Sequence, residues 1–257
     1  MSPLTALTEL LPPLAWLTLG VLLRVGAAMA VLPGLGERSV PVRVRLLASL
    51  ALTAVIAPAA APLIDMPDPT LASLARITAT ETVAGLAIGI GLRLFMLALQ
   101  TAGTMAAQAT SLSQLAGNSA ADPMPAIGNL LVISALALLM ITGLHVKVAA
   151  LFILSYDILP LGVFPDRGVM ADWGRGHVAR AFALAFTLAA PFVILSVLYN
   201  LTLGVINRAM PQLMVAFVGA PVITFGSIAM LLVAAPLILS VWLGAMDVFL
   251  SNPFAVP

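Results

Sequence analysis

Few residues in this chain could do chemistry. Its 257 positions hold 11 Lys and Arg, 10 Asp and Glu, two His and no Cys. Without cysteine there are no disulfides, thiol nucleophiles or thiolate metal ligands. His145 and His177 are too few imidazoles for a metal centre. No HExxH, GxSxG or GxxxxGK[ST] pattern occurs, and no serine or aspartate shows the spacing of a nucleophile with its base. The reading is non-enzymatic, with no cofactor and no metal.

What remains is a set of charges set into apolar stretches. Arg24 lies inside the first of them, where a charge is costly and usually faces a bundle interior or a cavity. Glu81, Gly85, Gly89 and Arg93 recur every four residues, so on a helix they form one slowly drifting stripe. Gly85-x-x-x-Gly89 lets another helix approach closely. Glu81 and Arg93 stand about 18 Å apart along such a helix, too far to pair, so each needs a partner elsewhere, for which another subunit is a candidate. Two readings stand for the stripe: an interface with functional partners, or packing glycines between charges that snorkel to opposite membrane edges. His145 and Lys147 read as a membrane-edge cluster in preference to a proton relay.

Arg208 is the single charge between Ala181 and Met246. It opens Arg208-Ala-Met-Pro211-Gln212, with Gly219 and Pro221 close behind. Pro211 breaks the helical ladder, and Arg208 and Gln212 can donate to the freed carbonyls. The pattern is that of a shaped hairpin tip between two apolar helices. A third feature is Gly103–Pro123, uncharged until Asp122 and rich in small and amide residues: Gly103, Gln108, Ser111, Ser113, Gln114, Gly117 and Asn118. It is too polar for lipid and too apolar for an ordinary solvated loop. A plain interhelical loop or a flexible lining of a protein-walled lumen would account for it.

The elements that position these residues follow from composition. The chain is 62% hydrophobic and 8% charged, against about 25% charged in soluble domains, with mean hydropathy +1.15. It cannot cover itself with a water-facing surface. The net charge of +1 gives no footing for nucleic acid. About 20 apolar residues span a bilayer core, and six segments reach that length: Leu10–Leu32, Arg45–Ile64, Leu71–Ala102, Met124–Leu144 with a possible run to Tyr156, Ala179–Ile206 and Leu213–Leu250. The last exceeds one ordinary span, and Pro221 and Pro236 offer places to kink or turn, so six could become seven. The loop Tyr156–Val178 carries mixed charge and is read as a connection. The fold class is therefore all-α, membrane-type hairpins with Pro- and Gly-broken helices. Arg38, Arg43 and Arg45 in the first loop, against Asp65 and Asp68 in the second, put the first loop inside and the N-terminus outside. Basic residues do not precede Leu10–Leu23, so no cleaved signal is expected.

In order and spacing the chain resembles the FliR family of flagellar and virulence-type type III export gates. The pieces are Arg24, Pro33-x-x-Gly36, Val40-Pro-Val-Arg-Val-Arg45, Pro58 and Glu81-x-x-x-Gly85-x-x-x-Gly89. They continue through Ala102-Gly103 with Gln108, Asp122-Pro123, Gly143-x-His145, Ser155, Pro191, Gly204, Arg208-x-x-Pro211-Gln212 and Phe217-x-Gly219-x-Pro221. The match covers about residues 10 to 245, and the flagellar branch is favoured. Thr110-Ser111-Leu112-Ser113 departs from the Gly-Leu-Ser run often found in the family, and no tail for a cytoplasmic domain follows the last apolar segment.

The resemblance implies a pore-forming gate subunit in the bacterial inner membrane, at the flagellar basal body, that passes unfolded export substrates. It implies FliP-like and FliQ-like membrane partners and a neighbouring FlhB-like protein. It implies a FliP-like part over residues 1–178 and a FliQ-like hairpin over 179–257, with hairpins partly lifted out of the bilayer. Residues 103–122 would be the pore plug, and Arg208–Gln212 the tip of the second hairpin. The rival from another class is a secondary transporter or channel for a small solute. It predicts an internal pseudo-repeat and a paired ionisable site, and the sequence displays neither.

Overall fold

The computed structural model describes residues 13–37, 39–110, 126–210 and 215–254. Within them the regular structure is helical, with no strand, as the apolar pattern predicts. Helix α1 is Pro13–Met29 and α2 is Val42–Ala60, followed by a 3-10 turn over Ala61–Leu63. Helix α3 runs Leu71–Thr110, α4 Ala126–Ile141, α5 Leu144–Ile158, α6 Arg167–Ala209 and α7 Val215–Ser251.

Local sequence sets the boundaries. The turn after α1 needs a left-handed residue, which Gly34 supplies at φ 83°. Pro41, extended at ψ 140°, precedes α2. Helix α3 opens on a reciprocal cap, with Ser73 N–H donating to Thr70 Oγ1 (3.1 Å) and Thr70 N–H to Ser73 Oγ (2.9 Å). The fourth apolar segment reaches Ile158 but is broken at Gly143, whose φ of 73° ends α4 and starts α5.

Three boundaries differ from expectation. Helix α6 begins at Arg167, inside the stretch read as a loop, because Asp166 Oδ1 caps it by accepting from Val169 N–H (2.9 Å). Mixed charge there is that of a solvated helical turn. Helix α7 passes Pro221 and Pro236 as one 37-residue helix; each proline removes a single ladder bond, which a long apolar helix tolerates. Helix α3 continues through Gly103 to Thr110, so those residues are helix and not loop. Alanine-rich sequence favours that state.

The chain divides into two compact units. The first joins the chain up to Leu94 with Leu139–Val178 and the residues from Met246 onward. Its core holds Val21, Val25, Ile56, Ile88, Leu92 and Phe152. Its C-terminal residues are fastened by Trp173, whose Nε1–H donates to Pro253 O (2.7 Å) and whose ring lies 4.7 Å from His177 and 6.2 Å from Phe254. Trp173→Phe removes that bond and leaves the Pro253 carbonyl without its donor. The expected loss is about 1 kcal/mol, read as faster amide exchange over residues 248–254.

The second unit comprises Phe95–Leu138 and Ala179–Ala245. Leu99, Leu131, Ala135, Phe192 and Trp242 are buried there, and Trp242 Nε1–H donates to Phe95 O (2.9 Å). Gly103 meets Gly128 so closely that a Cβ on Gly103 would sit 2.1 Å from the Gly128 Cα.

Among the described residues four helices are long and apolar enough to cross a membrane, or five spans if α4 and α5 count as one broken span. In α3 56% of the apolar window is buried within the chain, against 28% in α6 and 22% in α7. Phe182, Phe186 and Leu201 on α6 and Phe225, Leu232 and Val233 on α7 are more than half exposed. Water cannot be their solvent, so lipid or other subunits must cover them.

Candidate functional site

The strongest constellation lies in the first unit, where Arg24 is fully buried. Helix α1 brings it to the stripe face of α3. Its Nε–H donates to Glu81 Oε2 at 2.7 Å, and both side chains are 1% exposed. Nη1 donates to Ser155 Oγ (2.8 Å) on α5, and Nη2 to Leu159 O (2.7 Å) just beyond it. The guanidinium carbon stands 3.7 Å from the Tyr156 ring centroid. Glu81 Oε1 accepts from Gly162 N–H (3.2 Å), in a turn where Gly162 has φ 75°. Ser155 Oγ–H in turn donates to Phe152 O (2.7 Å). Two helices, α3 and α5, and the turn beyond α5 thus converge on a single arginine of α1.

The rest of the stripe explains how α1 comes so close. A Cβ on Gly85 would lie 2.1 Å from the Arg24 carbonyl oxygen, and one on Gly89 2.7 Å from Ala28 O. Helix α3 therefore grips Arg24 twice, by side chain through Glu81 and by backbone through Gly85 one turn on. Arg93 ends the stripe with a half-buried pair, Nη1 to Glu37 Oε1 at 2.5 Å, in the turn that follows α1. All four stripe residues are engaged by the same chain, so the room at the glycines is filled by α1 and no foreign helix is needed there.

The arrangement is electrostatic and mechanical. Taking an arginine and a glutamate out of water costs several kcal/mol per ion, offset only when geometry is close and the remaining polar groups are bonded. Both conditions hold here. With both side chains 1% exposed and bonded to α5 and the turn beyond it, the pair clamps these elements together. The sequence did not display a paired ionisable site; the structure supplies one, from residues 57 positions apart. That gives the transporter rival one of its two required features, in a form closed to solvent.

Other singled-out residues fall as follows. Lys147 Nζ pairs with Asp247 Oδ1 at 2.6 Å, tying α5 to the last turns of α7, while His145 is exposed. Arg208 is exposed at the end of α6. Pro211 and Gln212 lie outside the described residues, and Gly219 and Pro221 stand in the opening turns of α7. Gly103 and Gln108 are on α3, Gln108 exposed. Ser111, Ser113, Gln114, Gly117, Asn118 and Asp122 lie outside the described residues, as does Arg38.

Sequence reasoning missed the roles of Ser155, Gly162 and Arg45. Ser155 entered only as one residue in a series, and Gly162 not at all, although a glycine after a proline-leucine pair signals a turn. Arg45 counted as a topology charge and as one residue of a motif, with no contact assigned to it. Its Nε–H donates to Leu35 O (2.9 Å) and its Nη2 to Glu37 O (3.2 Å), closing the turn that holds Glu37.

Comparison with known proteins finds relatives along most of the chain. The family described as bacterial export proteins, family 1, matches residues 15–248. The flagellar biosynthetic protein FliR of Caulobacter vibrioides is 33% identical over 224 residues, covering 86% of this chain and 89% of that protein. The FliR of Escherichia coli K12 is 30% identical over 234 residues, covering 88% and 87%. The matched region contains the Arg24 cluster and the whole α3 stripe. With so much of its length aligned at this identity, the chain belongs to the FliR family of bacterial flagellar export proteins.

Proposed function

We propose that this chain is a pore-forming subunit of the flagellar type III export gate, helping unfolded substrates cross the bacterial inner membrane at the basal body. The observation that carries the reading is the low self-burial of α6 and α7, 28% and 22% of their apolar windows. A chain that leaves so much large apolar side-chain surface uncovered needs neighbours as well as lipid. FliP-like and FliQ-like membrane subunits would supply them, with a FlhB-like protein alongside. In this reading residues 1–178 act as the FliP-like part and 179–257 as a FliQ-like hairpin whose tip, Arg208–Gln212, docks against partners. Catalysis has no part in it.

Purification in mild detergent tests the proposal. The expected product is one complex holding several copies of two smaller membrane proteins with this chain. A monomer or dimer that moves a small solute in liposomes would replace the gate with the transporter.

The pore plug in this reading begins after α3, so Ser111, Ser113, Gln114, Gly117, Asn118 and Asp122 are its residues, with Gly103 and Gln108 on the helix that carries it. Deleting residues 112–120 is expected to make cells leak small solutes while the complex still assembles. Unchanged permeability in a normally assembled complex removes the plug assignment.

A further inference from the structure

Where α3 begins, a cavity of about 450 Å³ opens between the connection over residues 65–70, the first turns of α3 and the turn beyond α5, all within the first unit. Asp65, Ser73, Arg76, Ile77, Leu161 and Gly162 are among its lining residues. Its walls are fixed by contacts already made. Gly162 is held from behind by the buried pair, through its N–H to Glu81 Oε1 (3.2 Å). Leu161 packs toward α1 so closely that a Cβ on Gly20 would meet its Cδ1 at 2.9 Å. Ser73 Oγ–H donates to Asp68 O (2.6 Å), which ties the connection to the start of α3. The cavity is therefore formed before anything enters it, which lowers the ordering cost of binding. Two opposite charges stand in it and do not meet. Asp65 and Arg76 are exposed, and their side chains make no ion pair among the described residues, not even with each other.

We propose that this cavity is a docking socket for a polar loop of a partner subunit, one that presents a basic and an acidic side chain close together. The proposal rests on the gate reading, which supplies the partner. The basic group meets Asp65, and the acidic group meets Arg76, whose guanidinium matches a carboxylate through two parallel N–H···O bonds. Met66, Pro67 and Ile77 in the lining receive the aliphatic stems of those side chains. Charge complementarity selects among occupants, because an acyl chain or an apolar helix would leave both charges unanswered. A free zwitterion answers both, but ion pairs at exposed positions are weak, and a free molecule also loses its translation and rotation. A loop of a subunit held by other contacts avoids most of that loss, since the tether sets its local concentration. Val55 and Leu71, exposed in the same unit, are places where such a subunit can be held.

The chain has no cysteine, so Ala72→Cys, at an exposed position in the cavity lining, gives it a single thiol that reports access. Maleimide labelling of this chain is timed in three forms: isolated in detergent, reconstituted alone in nanodiscs of phosphatidylethanolamine and phosphatidylglycerol, and assembled in the purified complex. The complex is expected to label about tenfold more slowly than the other two, since thiol reactivity follows access. In complexes of unchanged composition, Arg76→Gln and Asp65→Asn should each speed labelling about fivefold, the scale of one exposed ion pair. Arg76→Lys should keep the protection, and Arg175→Gln, at an exposed position on α6, should leave it unaltered. Protection that neither charge removal relieves means an apolar cover and overturns the socket. Protection already present in the nanodiscs makes lipid the occupant and overturns it too. An intact complex that labels as fast as the isolated chain removes the socket alone, whereas failure of any complex to form removes the gate reading and the socket together.

Discussion

Glu81→Leu is expected to cost about 3–5 kcal/mol, because it leaves Arg24 charged and buried without its counterion. That is a large share of the 5–15 kcal/mol that holds a typical domain folded. The reverse change, Arg24→Met, should cost a similar amount by stranding the Glu81 carboxylate on a single N–H from Gly162. The double variant is the informative one. With both charges gone the desolvation penalty goes too, and the fold should recover more than half of the loss, short of full recovery because Leu159 O and Gly162 N–H lose partners. Unfolding in detergent micelles, set out as a double-mutant cycle, measures the coupling. Additive losses in the double variant would mean that the two residues do not act as a pair.

The second large effect is expected from one methyl group. Gly85→Ala places a Cβ more than 1 Å inside ordinary contact with the Arg24 carbonyl oxygen. The obstacle is backbone, so no rotamer change relieves it, and α1 must move. Overpacking of this kind costs about 1–3 kcal/mol, and moving α1 also stretches the Arg24–Glu81 bond. Gly26→Ala is the matching control: it lies on α1 with nothing within 4 Å of the added Cβ, and alanine is the better helix former by about 1 kcal/mol. The isolated chain should therefore lose stability with Gly85→Ala and keep or gain it with Gly26→Ala. If Gly85→Ala leaves the isolated chain unchanged and fails only at assembly, the stripe serves a neighbouring subunit instead.

The helices themselves were legible from apolar run length, since each of the six segments overlaps a helix or the broken α4–α5 pair over most of its length. Their ends were less so. Asp166 as a cap was available in the sequence but was masked by the mixed charges around it, and Gly103 read as loop because its reason for being glycine, the Gly128 backbone, is a tertiary fact. The candidate site was legible as a set of needs. Arg24, Glu81 and Arg93 each stood out as a charge that required a partner, and periodicity put Glu81 and Arg93 on one face. Which residues met those needs was not legible, because pairing across 57 or 135 positions depends on how α1, α3 and α5 pack. Glu37 and Ser155 look ordinary in sequence and matter only through position.

The partners of Arg24 are also separated in time. Leu159 lies 135 positions downstream, so at about 5–20 residues per second a ribosome finishes α1 on the order of ten seconds before Leu159 exists. During that interval the arginine has no complete set of acceptors, and α1 is a poor tenant of the bilayer centre. The N-terminal helix must then wait at the interface or with the insertion machinery until α5 emerges. A chain cut short before residue 159 would keep Glu81 and Ser155 but leave Nη2 of Arg24 permanently without its carbonyl acceptor.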